Sequence, residues 1–499
     1  MSEAPRRRVL LLAREQVLHW VPLYIEAFRE CCDVITVGPA LRVNVLATHD
    51  WQHAQRWLEP NNIESEADSL AEILTLLPGG WLPELIVTVQ SAGPPIRDLA
   101  RAACPTVYIS VDTWHDHEEF RYARPYDFVF AAQESMVAYF RDAGLPRVEW
   151  LPLACSPRRH HPVDTLPTHD FAFAGMTVYV VNRQRMARLL RLEKEFTVRI
   201  EGALGGDDYC RALAAGRAVF NSSVAQDVNM RVFEAMAVGR PLLTNRDAAA
   251  NGLYRLFTEG EHFLGYDDED LMTQARCLME DGGLRDCLAE AAKREVLERH
   301  TYRHRVGRVL EVVGPHAYPT PTLRGSLRLS AWIPHGSRRV LDIGLKLDRS
   351  RVGLRRMGVE FLAGTAPRGE AGRPGSYDAI VPWPPHGEKF DAILCAHPLD
   401  ATLPLPELFG AARDCLGAGG ELVLLMNGGE ATLSGLNMDP ALWEAWSYAE
   451  GFHLILCQPI PECNGLALRF RRYLRSLEDI SRDIFARFPG GGNHPEVRA

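Results

Sequence analysis

The sequence predicts an α/β protein of about three units, each a mostly parallel sheet wrapped in helices. Three observations lead there. Short apolar runs of strand length alternate with longer amphipathic stretches along most of the chain. Two breaker-rich segments without periodicity, Leu153–Thr168 and Gly314–Arg338, interrupt that alternation and read as linkers. At 499 residues the chain has material for several cores, and no internal repeat of fixed period is visible.

The first unit, 1–155, opens with the strand Arg8-Val-Leu-Leu-Leu-Ala13. Further strands are predicted at Asp33–Val37, Glu84–Val89, Val107–Val111, Phe128–Ala131 and Val148–Leu151. Ser135–Ala143 has helical spacing and stops at Gly144, where a glycine suits the C-terminal turn. In the second unit, 156–313, strands are predicted at Phe171–Ala174, Thr197–Glu201, Ala218–Asn221, Pro241–Thr244 and His262–Tyr266. Helices are predicted at Asn182–Leu192, Arg231–Val238, Asp268–Met279 and Leu284–Val313. After the linker 314–338, Arg339-Val-Leu-Asp-Ile-Gly344 opens a third unit, 339–475, followed by a C-terminal helix and tail, 476–499.

Composition excludes several classes of protein. Hydrophobic residues at 46% and charged residues at 24% are ordinary for a globular chain and argue against long disordered stretches. A net charge of −9 supplies no general attraction for nucleic acid. The apolar run Val9–Ala13 is only a strand long, so neither a signal peptide nor a membrane segment is expected. Eleven cysteines, an odd number without a CxxC pair, suit reduced thiols and a cytoplasmic setting. Nothing in the composition bears on oligomeric state.

The most informative stretch runs from Asn221 to Thr244. A strand ending in small polar residues, then a loop and a helix beginning near Asn229, places free backbone N–H groups and a positive dipole end beside the sheet, which suits a diphosphate. Arg231 in the first helical turn can pair with phosphate oxygens. Glu234, three residues on, can accept hydrogen bonds from a ribose diol. The alternative is that both merely flank a buried helix.

An ordered series of landmarks resembles the C-terminal domain of GT-B glycosyltransferases, particularly the CgeB-like group named after spore maturation. The series is Phe171-Ala-Phe-Ala-Gly175, Asn182-Arg183, Ile200-Glu-Gly202, Asn221, Asn229-x-Arg231-x-Phe233-Glu234-Ala-Met-Ala-x-Gly239, Leu242-Leu-Thr244, Leu256-Phe257, Glu298-Arg-His-Thr-Tyr302 and Arg305. The resemblance implies two Rossmann-like domains facing a cleft. The second would hold a nucleoside-diphosphate sugar and the first a hydroxyl-bearing acceptor, which could be a glycan, a protein or a small molecule. It further implies that Gly175 lets the chain approach the donor, that Arg183 and Arg231 face the diphosphate, and that Glu234 faces the ribose. Gly202, Asn221 and Asn229 belong to the same donor-side series.

Asp112 follows the strand Val107–Val111 and so stands at a strand's carboxyl end, where ligands sit in open α/β sheets. It is the first candidate for the base that deprotonates the acceptor, with His115 second because of its intrinsic pKa. The alternative for Asp112 is a helix cap. His115-Asp-His117 and His160-His161 are read as solvent-facing loop histidines, and no metal is expected. No cofactor is expected to be required. Gly202-Ala-Leu-Gly-Gly206 lacks the full dinucleotide fingerprint.

In the third unit, Val340-Leu-Asp-Ile-Gly344, Phe390-Asp-Ala-Ile-Leu-Cys-Ala396, Leu416-Gly-Ala-Gly-Gly420 and Glu421-Leu-Val-Leu-Leu425 resemble the landmarks of class I S-adenosylmethionine-dependent methyltransferases. Departures are substantial. Gly344 is followed by Leu345-Lys346-Leu347-Asp348, which would crowd a closely bound ligand, and no carboxylate follows Val359-Glu-Phe361 to grip a ribose. A degenerate methyltransferase-like domain that does not bind S-adenosylmethionine is therefore expected. The alternative is a bifunctional enzyme, and a non-catalytic sugar-nucleotide scaffold stands behind both.

Overall fold

The computed structural model describes residues 6–13, 20–39, 62–90, 96–113, 119–145, 147–175, 183–202, 204–314, 332–334, 336–345, 347, 354–355, 357–366, 376–396, 404–426, 440–460 and 465–487. Three sheets organise them. The first comprises β1 (Arg8–Leu12), β2 (Asp33–Gly38), β3 (Ile63–Glu64), β4 (Leu85–Val89), β5 (Thr106–Ser110), β6 (Phe128–Ala131) and β7 (Val148–Trp150). It is parallel throughout, in the order β3-β2-β1-β4-β5-β6-β7.

Both faces of this sheet are covered, which explains its continuous apolar runs. Val9, Leu11, Val87 and Ile109 point into one core, while Leu10, Leu12, Ile86 and Tyr108 point into the other, following the two-residue period of a strand. The second core is completed from the far end of the chain. The helix Leu477–Arg487 places Leu477, Ile480 and Ile484, at helical spacing, among Tyr108, Phe140 and Leu145.

The second sheet is also parallel, with order β12-β11-β10-β8-β9, built from β8 (His169–Ala174), β9 (Val198–Glu201), β10 (Gly216–Asn221), β11 (Leu242–Asn245) and β12 (Leu264–Tyr266). The single helix expected over Leu284–Val313 is two helices, Gly282–Arg299 and Tyr302–Val313. The break has a local cause. The Thr301 N–H donates to His304 Nδ1 at 3.3 Å, while Cys155 donates to the His300 carbonyl and accepts from the Tyr302 N–H. These bonds tie the junction to the end of the first unit. The final helix then packs on Trp20–Cys31, with Tyr24 and Tyr302 edge to face at 4.9 Å, and Arg305 donates to the carbonyls of Pro152 and Leu153.

The third sheet contains β13 (Arg339–Ile343), β14 (Phe361–Thr365), β15 (Ala379–Ile380), β16 (Phe390–Cys395), β17 (Leu416–Met426), β18 (Phe452–Ile460) and β19 (Gly465–Arg472). Its order is β15-β14-β13-β16-β17-β19-β18, and β19 runs antiparallel to both neighbours. This unit docks on the first. Arg471 donates to the carbonyls of Arg124 and Tyr126, and the N–H groups of Leu474 and Arg475 both donate to the Asp142 carbonyl.

Candidate active site

In the second sheet, strand order reverses between β8 and β10, and ligands of open α/β sheets sit in the crevice beyond such a point. The residues there are Gly175, at the end of β8, and Asn221, which ends β10. The helix Met230–Val238 starts beside them with Asn229 as its N-cap residue. Arg231 reaches back over the strand ends. Its Nε donates to the Ala174 carbonyl at 2.8 Å, one Nη donates to Asn221 Oδ1 at 2.9 Å, and its guanidinium lies 4.1 Å from the Phe173 ring centroid. Asn229 Nδ2 donates to the same Asn221 oxygen at 3.1 Å, and Asn221 Nδ2 donates to Thr244 Oγ1.

At Gly175 a protein side chain comes close to the backbone. Its φ is +150°, and a Cβ there would stand 2.0 Å from an Arg231 Nη. The glycine thus admits the Arg231 guanidinium. Gly202 is exposed, and a Cβ on it would meet nothing within 4 Å.

Arg183 opens the helix Arg183–Leu192 and is exposed, whereas Arg185 is buried beside Arg231. Arg185 Nε donates to the Ser222 carbonyl at 2.9 Å, and its guanidinium lies 5.5 Å from the same Phe173 ring. Burial, and then the charge of Arg231, push the Arg185 pKa down to about 10. Two guanidinium groups held together out of water favour an anion between or beside them. Arg185 belongs to no motif in the sequence, although Arg185, Arg188, Leu189 and Leu192 fall at the spacing of a buried helix face.

Asp227, 9% exposed, lies within the field of both arginines, and its Oδ1 accepts the Val224 N–H at 3.1 Å. Asp112 approaches it from the first unit. The Asp112 N–H donates to Gln90 Oε1, where β4 ends, and the Val228 N–H donates to Gln133 Oε1, so glutamines of the first unit brace both loops. Burial raises the Asp112 carboxyl to about 6. Asp227 is raised to about 7 by burial and then by the negative charge of Asp112. A carboxylate of the first unit therefore lies within the field of Asp227, the carboxylate that also feels both arginines of the second. His115 lies outside the described residues.

Glu234 is 6% exposed and engaged on both oxygens. Tyr209 Oη donates to Oε2 at 2.5 Å, and His160 Nε2 stands 3.4 Å from Oε1. His160 is thus not the solvent-facing loop residue expected. It is 4% exposed, because Ser156 donates its N–H to Nδ1 and draws the ring inward, while His161 remains near the surface. Among the described residues no group of three or more His, Cys, Asp or Glu is arranged to hold a metal ion, and no helix is long and apolar enough to cross a membrane.

Residues 158–311 match the family described as "Glycosyl transferase-like". Sulfoquinovosyl transferase SQD2 of Arabidopsis thaliana is 29% identical over 150 residues, which cover 28% of this chain and 27% of that protein. The chain thus spans about a quarter of the length of this curated relative. Two solved structures are similar at lower levels. Anabaena HepE in complex with UDP-glucose has 13% identity and a TM-score of 0.42, covering 61% of this chain and 99% of that one. A putative methyltransferase from Pseudomonas syringae has 16% identity and a TM-score of 0.22, covering 29% of this chain and 94% of that one. The arginine and carboxylate band from Arg185 to Glu234 lies wholly inside the segment that matches this family.

Proposed function

We propose that the protein is a GT-B glycosyltransferase of the CgeB-like group that moves a sugar from a nucleoside-diphosphate donor to a hydroxyl-bearing acceptor. The observation that carries this reading is the buried pair Arg185 and Arg231 at the strand-order reversal, with Asp227 in the field of both and also in that of Asp112 from the other unit. The guanidinium groups, with Arg183 and the start of the helix Met230–Val238, take the diphosphate and stabilise the charge that develops on it as the glycosidic bond breaks. Asp112 accepts the acceptor's proton as its oxygen bonds to the anomeric carbon. The Glu234 carboxylate accepts the ribose hydroxyls. No metal enters this scheme. The free thiols among the described cysteines suit a cytoplasmic setting.

The third unit is read as a degenerate methyltransferase-like domain. Its five parallel strands closed by an antiparallel pair support that descent. Side chains and backbone of the unit itself crowd Asp342 of β13 and its β14 partner Gly364. Asp342 Oδ2 accepts from the Leu347 N–H and from Tyr377 Oη, both at 2.6 Å. Leu345, at φ +56°, lies over Gly364, where a Cβ would stand 2.4 Å from Leu345 and 2.9 Å from the Tyr377 ring. These side chains do not fit S-adenosylmethionine, and no step is assigned to it.

A thermal-shift screen of UDP-, GDP-, ADP- and dTDP-sugars tests the donor reading. A true donor at about a hundred times its dissociation constant adds about 2.7 kcal/mol of stability. No stabilisation by any of them would remove the basis for the proposal.

A further inference from the structure

We propose that Tyr209 and His160 are positioning residues that hold the Glu234 carboxylate ready for the ribose hydroxyls of a nucleoside diphosphate, a role that rests on the donor site proposed above. The argument begins with the carboxylate. Each of its oxygens can accept more than one hydrogen bond, so a protein donor on each leaves acceptor capacity for a ligand. Tyr209 Oη, from the helix Gly206–Ala214, supplies the donor on Oε2 at 2.5 Å. His160, from the linker, supplies the contact on Oε1 at 3.4 Å, longer than a direct hydrogen bond but electrostatically close.

Both groups are committed as donors. Nδ1 of His160 accepts the Ser156 N–H at 3.2 Å, so in the neutral ring the proton resides on Nε2, the atom that faces Glu234. Burial keeps that ring neutral by lowering its pKa, and burial beside Glu234 holds the Tyr209 phenol well above its ordinary value and therefore protonated. The linker is itself pinned. Cys210 Sγ contacts the Arg159 carbonyl at 3.1 Å, and Arg159 Nε donates to Glu26 Oε1 of the first unit at 2.9 Å. Glu234 is thereby oriented from two directions, one inside its own unit and one from the segment that joins the units.

Calorimetry on the full chain separates positioning from simple bracing. UDP, GDP, ADP and their 2′-deoxy counterparts are the probes. The wild type should prefer the ribose form of the nucleotide it binds best by roughly ten-fold or more, because a site built to bond a hydroxyl rejects the analogue lacking it. Tyr209→Phe should reduce that preference to about two-fold while leaving 2′-deoxy affinity nearly unchanged. His160→Gln, which retains an N–H donor, should keep the preference, and His160→Leu should lose it. Equal weakening of both nucleotide forms in Tyr209→Phe and His160→Leu, with the ratio intact, would identify a structural brace and overturn the inference. So would a wild type that does not discriminate, or a Glu234→Gln protein that discriminates like wild type; in both cases the diphosphate site stands. Absence of binding by the wild type to every probe would overturn the donor site together with this inference.

Discussion

Replacing Arg231 by alanine tests the donor site where its geometry is most explicit. Two hydrogen bonds are lost, to the Ala174 carbonyl and to Asn221 Oδ1, together with the packing on Phe173. The losses are unequal. Asn221 Oδ1 keeps the Asn229 donor, but the buried Ala174 carbonyl loses the Arg231 N–H, a deficit of about 1–3 kcal/mol. The desolvated cation–π contact adds about 1–2 kcal/mol. In the opposite direction, Arg185 is relieved of a neighbouring positive charge. The net destabilisation should be about 2–4 kcal/mol, within the range of a broken buried network. Affinity for a nucleoside diphosphate should fall further, by about 1.5–3 kcal/mol for one charge-assisted phosphate contact, or roughly 10- to 150-fold. Calorimetric titration below the variant's melting temperature reads the second quantity, and thermal melting reads the first. A variant that melts lower but binds the nucleotide as tightly as wild type would make Arg231 a strut for β8 and remove it from donor recognition. Arg185→Ala should behave similarly, whereas Arg183→Ala, at an exposed position, should weaken binding with a smaller loss of melting temperature than Arg231→Ala.

Asp112→Asn should lower kcat by about 10²- to 10⁴-fold with donor affinity spared, the usual worth of positioned proton abstraction; a kcat within a few-fold of wild type would move the role to His115. The pH dependence has a definite sign. Asp112 and Asp227 have folded values of about 6 and 7, above their unfolded values, so the folded state binds more protons between about pH 4 and 7 and loses stability as pH rises through that window. Asp227→Asn should consequently raise the melting temperature more at pH 8 than at pH 5, and an equal gain at both would contradict the burial argument. Turnover should survive EDTA, and activity lost to chelation and restored by Mg²⁺ or Mn²⁺ would refute this. S-adenosylmethionine should give no calorimetric signal with the full chain; a dissociation constant below about 100 μM would show that Leu345 and Tyr377 yield to it.

The sequence by itself determined the α/β class, because strand-length apolar runs appear wherever a parallel sheet is buried on both faces, as in Arg8–Leu12 and Leu85–Val89. It also led to the strand–loop–helix segment around Asn221, Arg231 and Glu234, because N-capping and helical spacing are local properties. Tertiary structure alone decided what those side chains face. Arg185 joins Arg231 only because β8 and β10 lie side by side in space, although 37 residues separate Arg185 from the Ser222 carbonyl it bonds. The break before Tyr302 was hidden within an unbroken helical periodicity, since it depends on backbone bonds to Cys155. His160 resembled any loop histidine until the fold buried it against Glu234, and no local spacing showed that Arg231 would lie against Gly175. The helix Leu477–Arg487 displayed its apolar stripe in the sequence but not the sheet that the stripe covers. Periodicity records which face of an element is buried. The partner that buries it, and the charges brought together as a result, depend on contacts between distant residues that no local spacing records.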